Sequence, residues 1–205
     1  MIHPLIYDWN TLGIDAPKGP PVMLDDETLR DGLQSPSVRC PDIDEKLRIL
    51  HLIDALGIDT ANIGLPGAGP HVVRDVERLA REIVDAKLKV AANCAARTLA
   101  ADIKPIAEIS QRTGLKIEAC TFIGSSPIRQ YAEDWPLEKL QRLSEEAVSF
   151  AVKEGLDVMF VTEDTTRADP DSLRALYSTA IRAGAKRVCI ADTVGYATPH
   201  GAAAV

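Results

Sequence analysis

From about residue 21 onward, short β-branched runs alternate with longer stretches whose apolar residues recur every three or four positions. The runs Pro21–Leu24, Thr60–Gly64, Leu88–Asn93, Lys116–Cys120, Asp157–Thr162 and Arg187–Ala191 read as strands. Between the first two, Leu47, Leu50, Ile53 and Leu56 lay one apolar stripe along a helix over Asp44–Leu56. Gly57 stands where a left-handed C-terminal residue belongs. Val73, Val76, Leu79 and Ile83 repeat the stripe in a second helix. Ile103, Ile106 and Ile109 mark a third, closed by Gly114, and Leu140, Leu143 and Ala147 a fourth, closed by Gly155. Asp169-Pro170 is a cap followed by a first-turn proline, opening a fifth helix through Leu173, Leu176 and Ala180 to Gly184. Thr198-Pro199 starts a further helix in the same way, six residues before the last.

Six strand–helix units in a row imply parallel strands joined by crossover helices. Two architectures do this, the closed (β/α)8 barrel and the open doubly wound sheet. A doubly wound nucleotide-binding sheet needs a glycine-rich turn after its first strand, whereas Asp25–Gly32 is full of charge and holds one glycine. The later run Gly64–Pro70 is glycine-rich but interrupted by Pro66 and closed by Pro70. The expected fold is therefore α/β, a TIM barrel with about six of its units present over residues 21–205. Residues 1–20 are expected to be an N-terminal extension packed across the barrel bottom. A closed barrel has eight strands, so the expectation is a fragment, or a chain completed by another.

Composition narrows the function classes. At 46% hydrophobic and 26% charged over 205 residues, the chain is an ordinary globular domain, not a disordered, collagen-like or coiled-coil protein. A net charge of -7 argues against nucleic acid as a partner. No apolar run approaches a membrane span, and the N-terminus lacks the basic start and apolar core of a signal peptide. Cys40, Cys94, Cys120 and Cys189 are widely spaced with no C-x-x-C pair, which points to reduced, packed thiols and a cytoplasmic location.

In a barrel, chemistry sits at the C-terminal ends of the strands. Those ends read Asp26–Pro36, Asn62 with the Gly64–Pro70 loop, Thr121–Ser126, Thr162–Arg167 and Ala191–Gly195. The pair Arg30-Asp31 offers a hard oxygen ligand for a divalent cation and a guanidinium that can hold a developing oxyanion. Singly these features are bland: Arg-Asp-Gly is an ordinary turn, Glu163-Asp164 can cap a helix, and Thr193 can bond locally. Their convergence on one rim is the signal.

Asp26-x-Thr28-Leu29-Arg30-Asp31-Gly32-x-Gln34-Ser35-Pro36 resembles the opening signature of the metal-dependent TIM-barrel family of 2-isopropylmalate, homocitrate and citramalate synthases. Hydroxymethylglutaryl-CoA lyase, 4-hydroxy-2-oxovalerate aldolases and the carboxyltransferase domain of pyruvate carboxylase are its relatives. Asn62-Ile63-Gly64-Leu65-Pro66, Glu163-Asp164-Thr165-Thr166-Arg167 and Asp192-Thr193-Val194-Gly195 resemble the family's Glu-x-Gly-Phe-Pro, Glu-Asp-Ala-x-Arg and Asp-Thr-x-Gly, in order and spacing. The resemblance implies a metal-dependent Claisen-type condensation of acetyl-CoA with a 2-oxo acid. It implies Asp31 as a metal ligand, Arg30 and Glu163 as catalytic residues, and Gln34 and Thr193 as substrate-binding residues. The cation implied is Mg, Mn, Zn or Co, acetyl-CoA is the co-substrate, and the full-length form is expected to be a homodimer.

Two departures stand out. Asn62 replaces the family's strand-2 glutamate. The family's remaining metal ligands form a His-x-His motif at strand 7, and here His3, His51, His71 and His200 are not in that spacing. His51 falls near the apolar stripe of the first helix and reads as structural. A catalytic metal usually takes three protein ligands, so the chain as given is expected to be inactive. A carbon–carbon lyase of the hydroxymethylglutaryl-CoA type is the alternative on the same scaffold. A non-catalytic paralogue or interaction module is the third reading.

Overall fold

The computed structural model describes residues 21–205; the expected N-terminal extension lies outside them. Six strands form one sheet: β1 (Asp25–Asp26), β2 (Thr60–Asn62), β3 (Ala91–Arg97), β4 (Ile117–Gly124), β5 (Asp157–Glu163) and β6 (Arg187–Ile190). Every pairing is parallel and every spatial neighbour is a sequence neighbour. A doubly wound sheet would reverse its order at a switch point; this one never does. The described chain is therefore a TIM-barrel-like half-barrel with open edges at β1 and β6.

Helices α1 (Ile43–Ala55), α2 (Pro70–Asp85), α3 (Ala100–Thr113), α4 (Pro127–Glu133), α5 (Leu137–Lys153), α6 (Pro170–Arg182) and α7 (Pro199–Ala204) connect and follow the strands. Their starts are written in polar side chains. The Asp42 carboxylate accepts the Glu45 N–H at 2.8 Å while the Glu45 carboxylate accepts the Asp42 N–H at 3.0 Å, a closed capping box on α1. Asp169 caps α6 by accepting the Ser172 N–H at 2.9 Å, and Thr198 caps α7 by accepting the Gly201 N–H at 3.1 Å.

The two-residue period of the strands sorts their side chains into two layers. Ala61, Ile63, Cys94, Ala96, Ala119, Ile123, Val158 and Phe160 are buried against the apolar stripes of α1, α2, α3, α5 and α6, where Leu50, Val76, Leu79, Ile103, Ile106, Leu140 and Leu176 are fully enclosed. The alternate residues face the concave side. That inner face is polar at its β1 end: the Asp25 carboxylate accepts from Asn93 Nδ2 at 2.8 Å and from the Thr60 hydroxyl.

The structure moves some expected boundaries. The first strand was expected over Pro21–Leu24 and is Asp25–Asp26 instead. Val22, Met23 and Leu24 are exposed, and Leu24 is tied down by its N–H donating to the Asp59 carboxylate at 2.8 Å and its carbonyl accepting the Asp59 and Thr60 N–H groups at 3.2 and 3.1 Å. Likewise β3 starts later than Leu88, because the N–H groups of Lys89 and Val90 donate to the Asp54 carboxylate at 2.5 and 2.9 Å. It then continues to Arg97, paired with Phe122. The short helix α4 is not foreshadowed in the periodicity; seven residues are too few to show one.

Candidate active site

The turn after β1 folds back on the Glu27 carbonyl, which accepts the N–H groups of Arg30 at 3.2 Å and Gly32 at 3.0 Å. A 3-10 turn over Gly32–Gln34 follows. This packs Glu27, Arg30, Asp31 and Gln34 onto one wall of an open cleft of about 660 Å³ on the concave side of the sheet. Glu163 at the end of β5 and Asp192 and Thr193 after β6 line the same cleft, as do Asp25 and Asn62, with Ala95, Cys120, Phe122, Met159 and Val161 as a less polar floor. The five site residues expected from the sequence, Arg30, Asp31, Gln34, Glu163 and Thr193, are thus brought to a single space.

Arg30 is the most constrained of them. Its Nε donates to Glu27 Oε2 at 2.8 Å and its Nη1 to Asp31 Oδ1 at 3.0 Å, so the guanidinium lies between two carboxylates of its own turn. Glu27 Oε1 also accepts from Asn62 Nδ2 at 3.2 Å. Burial pushes the Glu27 carboxyl above the ordinary glutamate range, against the opposing pull of Arg30 and Asn62.

On the far wall, Glu163 Oε1 lies 3.4 Å from Arg129 Nε, and the Glu163 carbonyl is fixed by the Ser125 N–H at 3.0 Å and hydroxyl at 2.9 Å. The next residue, Asp164, adopts a left-handed φ of 61° and does not line the cleft. Its buried carboxylate is gripped by Arg167 through Nε at 2.8 Å and Nη2 at 2.7 Å, which holds it below the ordinary aspartate range. The Asp164 N–H donates to Thr193 Oγ1 at 2.8 Å, leaving the Thr193 hydroxyl hydrogen for another partner. Asp192 is tied to its loop by the Thr166 hydroxyl at 2.6 Å and the Tyr196 N–H at 2.9 Å, and the Thr166 bond in particular lowers its carboxyl.

Charge in the cleft lining is one-sided: Asp25, Glu27, Asp31, Glu163 and Asp192 line it with one guanidinium, Arg30, while Arg129 pairs with Glu163 from outside the lining. Even so, among the described residues no three His, Cys, Asp or Glu side chains stand close enough to share a metal ion. Asp31 is the only expected ligand present, and His71 and His200 do not line the cleft. The residues described do not by themselves fit a catalytic metal site. His51 is not in the stripe but exposed, with Nε2 2.9 Å from Glu82 Oε1 on α2. Cys94 and Cys120 are free and buried, which pushes their thiols far up, away from nucleophilic reactivity.

Sequence reasoning did not single out Glu27, Asp25, Asp192 or Arg129. The signal for the first two lay in the strand period, which sends Asp25 and Glu27 to the same face. At the opposite mouth a depression of about 400 Å³ is bordered by Glu118, Asp157, Lys186 and Arg187. These pair as Lys186–Asp157 at 2.6 Å and Arg187 with Glu118, so their charges are already matched.

The sequence is similar to those of several 2-isopropylmalate synthases. It is 36% identical over 180 residues to 2-isopropylmalate synthase of Pyrococcus abyssi (strain GE5 / Orsay), covering 87% of this chain and 36% of the relative. It is 36% identical over 179 residues to 2-isopropylmalate synthase of Microcystis aeruginosa, covering 87% and 33%. The chain thus spans about a third of the length of these curated relatives. Among solved structures, the HMG-CoA lyase from Brucella melitensis superposes with a TM-score of 0.68 at 18% identity, over 89% of this chain and 65% of that one, a likeness of fold. The HMGL-like family model matches residues 22–205, and the chain belongs to that family.

Proposed function

We propose that this chain carries the 2-oxo-acid-binding part of a 2-isopropylmalate synthase-type acyltransferase, which joins the acetyl group of acetyl-CoA to the keto carbon of a 2-oxo acid. What carries the reading is that Arg30, Asp31, Gln34, Glu163 and Thr193 line one cleft although they come from the ends of three separate strands and the loops after them. Synthase relatives at 36% identity favour condensation over carbon–carbon cleavage.

In this reading the Thr193 hydroxyl and the Gln34 amide hold the carboxylate of the 2-oxo acid. Arg30, always charged and already oriented by its two carboxylates, steadies negative charge on the keto oxygen as the new bond forms. Glu163 bonds the substrate from the far wall, kept in place by Arg129. Asp31 is proposed as one ligand of a divalent cation; because the described residues do not complete its site, no step is assigned to the ion. The four free cysteines accord with a reducing, cytoplasmic setting, which we propose alongside.

Calorimetric titration of the chain with 2-oxoisovalerate, pyruvate and 2-oxoglutarate, in buffer containing Mg²⁺, tests the reading. One saturable site for a 2-oxo acid is expected, weakened about tenfold or more in Arg30→Ala, the size of a lost charged hydrogen bond. No saturable binding, or equal affinity in the variant, would overturn it.

A further inference from the structure

Asn62 removes a negative charge from the place where the resemblance expects glutamate, yet that place is not neutral. Asn62 is buried at the end of β2, and its Nδ2 donates to Glu27 Oε1 at 3.2 Å. The other oxygen of Glu27 accepts Arg30 Nε at 2.8 Å. A carboxylate therefore sits within one hydrogen bond of the position-62 side chain, delivered from the β1 turn in place of β2. We infer that Glu27 is the positioning residue for Arg30: it takes over the negative charge that residue 62 lacks and sets the direction of the guanidinium. The inference rests on the synthase-type reading of the cleft.

Three features of the pair support a positioning role. Arg30 has a second acid, Asp31, but Asp31 is the more exposed of the two, with 63% of its side chain accessible against 38% for Glu27. The less solvated partner dominates orientation, because water competes less for its oxygens. Second, Glu27 takes Arg30 through Nε, leaving Nη1 toward Asp31, so the fork is held edge-on. Third, the Asn62 amide fixes Glu27 from the opposite side while its own Oδ1 accepts the Gly64 N–H at 3.3 Å. The relay Gly64–Asn62–Glu27–Arg30 ties the guanidinium to the backbone after β2. An acid at 62 would face Glu27 as a like charge, so asparagine here and glutamate at 27 are one coupled choice.

The test follows the Arg30 Nε–H signal by nuclear magnetic resonance, assigned by its loss in Arg30→Lys. Glu27→Gln keeps shape and removes charge; Glu27→Ala/Asn62→Glu returns the carboxylate from β2. We expect Arg30 Nε–H to exchange with water about tenfold faster or more in Glu27→Gln, as a charge-assisted bond is lost. We expect the same in Glu27→Ala, with slow exchange returning in the double variant. Unchanged exchange in Glu27→Gln, or no recovery in the double variant, overturns the inference. Titrating the same samples with 2-oxoisovalerate separates the two claims. If the parent chain fails to bind it, the synthase-type reading falls, while the exchange series still decides the role of Glu27.

Discussion

Arg30 shows how a surface turn becomes a site. Left in water, a guanidinium next to an aspartate is an ion pair of little consequence. Here the Glu27 carbonyl gathers two N–H groups of the turn, and the Glu27 carboxylate accepts the guanidinium Nε–H of the same turn at 2.8 Å. Asp164 is the counterexample on the far wall: it resembles a site residue in sequence, but its bidentate bond to Arg167 makes it structural. Because Arg167 holds its carboxyl low, its contribution is complete above the unfolded aspartate value, about 3.9, and is lost as pH falls through the lower folded value. Asp164→Asn should therefore cost about 1–3 kcal/mol at pH 7. The gap from the parent should close as pH falls through that lower folded value, in urea melts repeated across pH. A gap that persists undiminished in acid would show that the charge is not what matters. Asp31 leads to a different expectation. With one acid and no partner ligands among the described residues, a chelator should leave the melting temperature unchanged, and a drop of several degrees would reveal ligands unaccounted for.

At the scale of elements, caps and stripes made the helices legible. Asp169 and Thr198 each cap the helix their position announced, and Gly114 closes α3 at a φ of 72°, whereas the Asp42 cap of α1 was not singled out in the sequence. Asp42→Ala, which opens the capping box of α1, should lower stability by about 1 kcal/mol in urea unfolding. The glycine-rich Gly64–Pro70 loop proves to be a packing device. A side chain on Gly67 would place its Cβ 2.4 Å from Cγ of Asp102, a buried acid already clasped by Arg97 at 2.6 and 2.9 Å. Gly67→Ala should cost about 1–3 kcal/mol, and a neutral result would mean that the loop yields freely. The strands at the open side were less legible. Apolar Val22, Met23 and Leu24 suggested a strand, but pairing is decided by the neighbour's register, which begins at Asp25 opposite Thr60. The five residues brought to the cleft were readable because each stands at the end of a strand or in the loop that follows one. Glu27 was not, because its importance comes from contact with Asn62, 35 positions away.

For the molecule as a whole, the half-barrel leaves apolar surface at both edges: Val22, Met23 and Leu24 beside β1, and Val188, Ile190, Val194 and Tyr196 at and beyond β6. Unpaired strand edges of this kind promote association. Sedimentation should show a mass that rises with concentration, and Ile190→Lys should reduce it; a monomer at all concentrations would contradict this. A homodimer of the longer form remains our proposal for the native assembly. The central claim is that loops after β1, β5 and β6 make one 2-oxo-acid site on the C-terminal rim. Its most direct test is to map backbone amide shifts during titration with 2-oxoisovalerate. The account predicts a shared saturation curve for Arg30, Asp31, Gln34, Glu163 and Thr193. Shifts confined to Glu118, Lys186 and Arg187 at the opposite mouth, or to none of these residues, would contradict it.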